Sequence, residues 1–182
     1  MAADNMLFQE LTADNEAGIR EMSAMATAIV REHYDPILGK AQNDYMLEKF
    51  QSVPALRDQL VHGYRYFFAR SGEGRNLGFL AFYPRPGALY LSKLYLYREE
   101  RGRGYARIML DFLRNHAEKL GLPAIELNVN RFNATVAIYE KLGFRRIREE
   151  KNDIGHGYFM DDYVYRLELR PKKSPDRKEN TQ

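Results

Sequence analysis

Apolar positions recur along this chain with two periods, and the places where the period changes divide it into elements. Leu7-Phe8-Gln9-Glu10-Leu11 reads as a short strand, after which Thr12 or Asp14 stands where a helix needs its N-cap. Ile19, Met22, Ala26, Ile29 and Val30 then fall on one helical face up to about His33. Asp35-Pro36 and Gly39 interrupt the pattern. Asp44 to Phe50 predicts a second short helix, and Pro54 to Val61, closed by Gly63, a third, so that the three form a helical cap. From Tyr64 the period drops to two: Tyr64, Tyr66 and Phe68 alternate with Arg65, Phe67 and Ala69 as far as Ser71-Gly72-Glu73-Gly74. Leu77 to Tyr83, the turn Pro84-Arg85-Pro86-Gly87, and Ala88 to Leu96 complete a three-strand meander.

The helical period returns with Ile108, Met109, Phe112, Leu113, Ala117 and Leu120 on one face, and stops at Gly121 with Pro123 beyond it. Ala124 to Val129 alternates again as a strand. Asn133 is placed to cap a helix running to Leu142, with Gly143 just past its end, and Arg145–Glu150 and Tyr158–Leu169 predict an antiparallel end. The strand–helix–strand order in the middle requires a right-handed crossover, so Ala88–Leu96 and Ala124–Val129 are expected as parallel neighbours in a sheet otherwise antiparallel. The fold class is α/β (α+β): a mixed, mostly antiparallel sheet of six to seven strands with helices on both faces. Residues 1–169 read as one domain and residues 170–182 as a basic, disordered tail.

Composition narrows the chemistry. With 182 residues, 45% hydrophobic and 13% aromatic, the chain is long enough for one proper core. The net charge of +3 equals the excess of five basic over two acidic residues in 170–182, so the body is neutral and offers nucleic acid little as a partner. No Cys occurs, which excludes disulfides, thiolate catalysis and Cys-based zinc sites. His33, His62, His116 and His156 form no i,i+4 pair, so no metal site is expected. There is no long apolar run and no signal-like start at Met1-Ala2-Ala3-Asp4-Asn5; the expectation is a cytoplasmic protein that does not engage a membrane.

Against that background the run Arg101-Gly102-Arg103-Gly104-Tyr105-Ala106, between a strand and an amphipathic helix, stands out. Unpaired N–H groups at a helix start, backed by the helix dipole, attract anions; the glycines permit close approach, and Arg101 and Arg103 add charged donors. Position 107 is Arg107 rather than a third glycine and no G-K-[ST] follows, so dinucleotide-binding and P-loop fingerprints both fail.

What the segment does satisfy is [Q/R]-x-x-G-x-[G/A], through Arg101, Gly104 and Ala106. Joined to Asn133 and to Tyr139-Glu140-Lys141-Leu142-Gly143-Phe144, it resembles the GNAT superfamily of acetyl-CoA-dependent N-acetyltransferases, at motif level over residues 88–147 and in element order over 7–169. The resemblance implies that the coenzyme A pyrophosphate lies on the turn N–H groups of Gly102 through Arg107. It implies also that the pantetheine arm pairs like an extra strand with Leu94-Tyr95-Leu96, where the two parallel strands splay, and that an N–H near Leu96 stabilises charge on the thioester carbonyl. Tyr139 would protonate the departing sulfur, with simple packing between helix and sheet as its alternative. A phenol near pKa 10 protonating a thiolate near 8.5 is uphill by roughly 2 kcal/mol, which one good hydrogen bond largely offsets. The interval from Asn133 to Tyr139 is six where seven is the commoner spacing, which leaves open whether Asn130 or Asn133 faces the cofactor.

An amine acceptor must also lose a proton, at a cost of roughly 4 kcal/mol at pH 7. Glu126 is the candidate acceptor, and Asp161-Asp162 a candidate anionic patch for a cationic substrate. The Asp35-Pro36 region and cap helices resemble, weakly, bacterial polyamine (spermidine/spermine) acetyltransferases. The expected reaction is direct transfer of acetyl from acetyl-CoA to a primary amine, a small molecule or polyamine. A protein N-terminus or lysine as acceptor, a non-catalytic acyl-CoA-binding module, and a homodimeric state stay open.

Overall fold

The chain runs β1 (Leu7–Leu11), α1 (Glu16–Leu38), α2 (Lys40–Gln51), α3 (Val53–Val61), β2 (Arg65–Arg70), β3 (Asn76–Arg85), β4 (Ala88–Leu96), α4 (Tyr105–Lys119), β5 (Ala124–Asn130), α5 (Val136–Lys141), β6 (Arg145–Gly155) and β7 (Tyr158–Glu168). This is a computed structural model that describes residues 5–169, so the tail expected at 170–182 lies outside the described residues. Among the described residues the strands form one seven-stranded sheet in the order β1-β2-β3-β4-β5-β7-β6. β4 and β5 are parallel, as the crossover rule requires, and every other neighbouring pair is antiparallel.

Two apolar layers hold helices against this sheet. Tyr66, Phe68 and Phe79 face Ile19, Met22, Ile29 and Leu56 of the cap, whereas Phe67, Leu80 and Phe82 face Met109 and Leu113 of α4. Such side chains each contribute on the order of 1.5–3 kcal/mol when fully buried, which explains why β2 and β3 are apolar on both faces. Among the described residues no helix is long and apolar enough to cross a membrane.

Several boundaries differ from the sequence expectation for identifiable reasons. The N-cap of α1 is Asn15, whose side chain accepts from the Gly18 N–H, rather than Thr12 or Asp14. α1 continues through Asp35-Pro36 to Leu38. Pro36 lies in the last turn, where it forfeits one intrahelical N–H donor and the helix ends two residues on, and Asp35 is used on both sides: its carbonyl accepts from Gly39 N–H and its carboxylate from Asn43 Nδ2 at 2.7 Å. α2 starts at Lys40, β3 absorbs Pro84 and Arg85, and β6 extends to Gly155. α5 is only Val136–Lys141, with Thr135 as its N-cap. Asn133 instead closes an Asx turn, its Oδ1 accepting from Thr135 N–H at 3.0 Å.

Candidate active site

β4 and β5 pair over only three residues, Leu89–Leu91 against Ile125–Leu127, although both strands continue. The cause lies on the other edge of β4. Its register with β3 jumps from Phe82↔Leu91 to Ala81↔Lys93, so Ser92 is an extra, bulged residue that bends the strand away from β5. Beyond the bulge the two strands splay around a cleft of about 130 Å³ lined by Leu94, Leu96, Leu127, Val129, Ala106 and Tyr139 among others. The bulge also reverses which residues face which layer. Leu89 and Leu91 point to the α4 side, and so do Leu94 and Leu96 after it, while Lys93 and Tyr95 turn to the cap side.

At the open end of the cleft, a single 3-10 turn, Arg98–Glu100, leads into the glycine turn. Gly104 caps α4 in the left-handed conformation (φ +83°), Gly102 also has positive φ (+77°), and a Cβ at either would meet nothing within 4 Å. The space in front of both glycines is open. The N–H groups of Tyr105 and Ala106 start the helix without intrahelical partners, whereas that of Arg107 donates to the Gly104 carbonyl at 3.1 Å. The Tyr105 side chain is core, 3% exposed, so this residue offers a ligand its backbone alone. The arginines are partly spent within the loop. Arg103 pairs at 3.4 Å with Glu100, a carboxylate 2% exposed that also holds Arg75, and Arg101 Nε donates to the Leu96 carbonyl at 3.2 Å. The donors and the space fit a phosphate group, and the unpaired edge of β4 fits an extended polar arm.

Tyr139 reaches the cleft from α5, its ring edge-on to Phe144 with centroids 5.6 Å apart. Burial pushes its phenol well above the ordinary range. Asn133, 5% exposed, lies in the cleft, while Asn130 lines a second cavity, so of the pair left open by spacing it is Asn133 that the structure brings beside Tyr139. Its side chain is fully engaged: His33 Nε2 donates to Oδ1 at 3.0 Å and Nδ2 donates to the Tyr34 hydroxyl at 3.1 Å. Tyr34 in turn accepts from Tyr95. Burial lowers the pKa of His33 and keeps its ring neutral at pH 7.

The second cavity, about 260 Å³, lies between the cap and the sheet, with Tyr64, Tyr83, Tyr90, Phe50, Phe159 and Asp162 on its walls. It meets the cleft along a shared wall of Tyr34, Ser92, Lys93, Tyr95 and Asn128. Asp162, 3% exposed, has its pKa pushed up to about 6 by burial, opposed by Asn128 Nδ2 at 3.5 Å. Asp161 points the other way and pairs with Arg131 at 2.7 Å, so the expected two-carboxylate patch is one carboxylate. Glu126 is not brought to either cavity; it is held by Arg166 at 2.8 Å, two residues back along β5 from Asn128. Lys93, His33 and Tyr34 went unmarked in the sequence. For Lys93 one signal was there, a lysine inside a strand that is apolar or aromatic everywhere else but Ser92. Among the described residues no group of His, Cys, Asp or Glu side chains is placed to hold a metal ion.

Residues 27–144, from within α1 to the end of the loop after α5, match the model of the acetyltransferase (GNAT) family. The fold is similar to that of the PaiA N-acetyltransferase from Thermoplasma acidophilum in complex with coenzyme A, at 17% identity and TM-score 0.74, over 91% of this chain and 99% of that one. It is equally similar to a GCN5-related N-acetyltransferase from Rhodopseudomonas palustris, at 14% identity and TM-score 0.75, over 93% and 99% of the two chains. YncA from Salmonella typhimurium with its cofactor acetyl-CoA aligns over 95% of this chain and 99% of its own, at 17% identity and TM-score 0.61. No curated protein matches the sequence.

Proposed function

This chain belongs to the acetyltransferase (GNAT) family and uses acetyl-CoA, and from that premise we propose that it transfers the acetyl group by direct attack to a small primary amine bound in the cap-side cavity. The observation that carries this reading is the shared wall: a small aromatic cavity with one buried carboxylate adjoins the cleft where β4 and β5 splay. Tyrosine faces and a carboxylate suit an ammonium group, which makes short di- and polyamines the favoured acceptors. α2 is also tied across the cavity to the β6–β7 hairpin, Tyr45 Oη and Lys49 Nζ donating to the Ile154 carbonyl at 2.6 Å each and Gln42 Nε2 to that of Phe159 at 2.9 Å. A peptide acceptor would need a groove where this clasp lies.

In this reading the backbone of Gly102 to Ala106 holds the pyrophosphate, with Arg101 and Arg103 fixing the loop and supplying charge. The free edge of Leu94-Tyr95-Leu96 aligns the pantetheine arm. Acetyl-CoA supplies an activated acyl group on a thiol leaving group. Asn133 and Tyr34 position the polar lining around Tyr139, and Tyr139 delivers a proton to the sulfur. Its raised pKa keeps it protonated at every working pH, and makes it a donor that acts only as negative charge develops beside it.

The test is thiol release from acetyl-CoA with a panel of polyamines, aminoglycosides, amino acids and peptides. Short di- and polyamines are expected to turn over, and Tyr139→Phe to lower kcat about 10²-fold with acetyl-CoA affinity unchanged. Tight acetyl-CoA binding without release for any amine would mark a binding module instead, and release with peptides alone a protein acetyltransferase.

A further inference from the structure

We infer that Lys93 takes the proton from the reacting amine, acting as the general base of the transfer; this rests on the cap-side cavity being the acceptor site. The amine that attacks must touch both spaces, the cleft that holds the thioester and the cavity that holds the rest of the acceptor. Of the five residues on their shared wall, Ser92 and Asn128 do not titrate near neutrality, and burial pushes the phenols of Tyr34 and Tyr95 upward, so both stay protonated. Lys93 remains. Glu126 lines neither space, Asp162 only the cavity, and His33 only the cleft.

The hydrogen bonds around Lys93 fit a neutral amine. Gln59 Nε2 donates to the Phe50 carbonyl at 3.0 Å, which fixes the amide so that Oε1 faces Lys93. Tyr66 Oη donates to that same Oε1 at 2.6 Å, leaving the hydroxyl oxygen as an acceptor. Lys93 Nζ donates to Oε1 at 2.7 Å and to Tyr66 Oη. A neutral amine has two N–H donors and one lone pair, and two acceptors consume both donors. The lone pair is left over. No carboxylate among the described residues pairs with Lys93, and the side chain is 7% exposed. The titratable groups around it are Tyr34 from α1, Tyr64 and Tyr66 at β2, Tyr83 on β3, Tyr90 and Tyr95 on its own strand, and Asp162 on β7. Desolvation, with no anion bonded in return, lowers its pKa to about 7, where a general base works best.

Atoms and charge balance simply. The substrate ammonium passes one proton to the Lys93 lone pair, and the freed nitrogen attacks the acetyl carbon as the carbon–sulfur bond breaks. A second proton leaves the nitrogen as the amide forms. One proton ends on sulfur by way of Tyr139, and the other passes from the Lys93 ammonium to solvent.

The test has a readout that needs no turnover. In protein carrying ¹³Cε-labelled lysine, with the Lys93 signal assigned by its loss in Lys93→Met, that signal is expected to titrate near pH 7, well below the remaining lysines; titration together with them overturns the inference. In kinetics with the best amine, Lys93→Met and Lys93→Arg are expected to lower kcat about 10²-fold or more at pH 7, with acetyl-CoA affinity retained in both and melting temperature retained in Lys93→Met. The deficit should shrink as pH approaches the amine's own pKa, where the substrate deprotonates unaided. A deficit independent of pH would mean that Lys93 only positions, and a neutral-pH limb lost in Asp162→Asn but kept in Lys93→Met would make Asp162 the base. Acetyl appearing on Lys93 after incubation with acetyl-CoA alone would make it an acceptor. If no amine turns over in wild type, the proposed function fails while the titration of Lys93 still decides its own case.

Discussion

Asp162 shows how much one residue's surroundings matter. Read as a letter beside Asp161, it looked like half of a charged pair; strand alternation sends Asp161 out to Arg131 and Asp162 into the cavity. Its carboxyl has a folded-state pKa raised to about 6, against about 3.9 in an unfolded chain. A raised carboxyl favours the folded state below the unfolded value, and that contribution is lost as pH rises through about 6. The buried anion therefore costs about 2–3 kcal/mol at pH 8. Asp162→Asn should unfold at higher urea concentration than wild type at pH 8, and the advantage should vanish near pH 4. Above about pH 6, where in wild type the carboxylate is ionised, the same variant should also bind cationic amines more weakly. Tyr139 and Gly104 were legible from their motif, since a phenol and a left-handed backbone position leave a letter-level trace. Lys93 was not, because whether a lysine is in water or in a core is decided by its neighbours.

At the scale of elements, period and breakers located every strand and helix but not the irregularities that make the site. The bulge at Ser92 has no glycine or proline to announce it, and a regular strand over Ala88–Leu96 would place Lys93 and Tyr95 on the same face as Leu89 and Leu91. One inserted residue opens the cleft and re-aims both side chains. α5 and its lead-in differ for a related reason: Asn133 spends its side chain on Thr135, Tyr34 and His33, so the helix starts two residues later than a capping asparagine predicts. The glycine turn, by contrast, is local. At φ +83° a β-branched side chain at 104 is strained, and it would occupy the open space in front of the helix start. Gly104→Val should therefore raise the Kd for acetyl-CoA at least tenfold by calorimetry, with a melting temperature lowered by only a few degrees. An unchanged Kd would mean that the pyrophosphate lies elsewhere.

Over the whole molecule, the cap-side cavity belongs to no single element. Its walls come from the cap, from β4 and β5, and from β7, and its clasp joins α2 to the β6–β7 hairpin across more than a hundred residues of sequence. Tyr45→Phe combined with Lys49→Ala removes both donors to the Ile154 carbonyl and should loosen the hairpin tip. Hydrogen exchange there should accelerate at least tenfold, and KM for small amines should rise several-fold while kcat changes little. Unchanged exchange would show that packing and the Gln42–Phe159 bond hold the hairpin without the donors to Ile154. The sequence by itself determined the element order, the parallel middle pair, the glycine turn before α4 and the place of Tyr139 on the helix after β5, because each depends on contacts within a few residues or on a handedness rule for one crossover. Only the tertiary structure decided where the strands part, which carboxylate is buried, and that Lys93 stands between the two cavities. Those properties are set by desolvation and by partners distant in sequence, and no local pattern of residues encodes either.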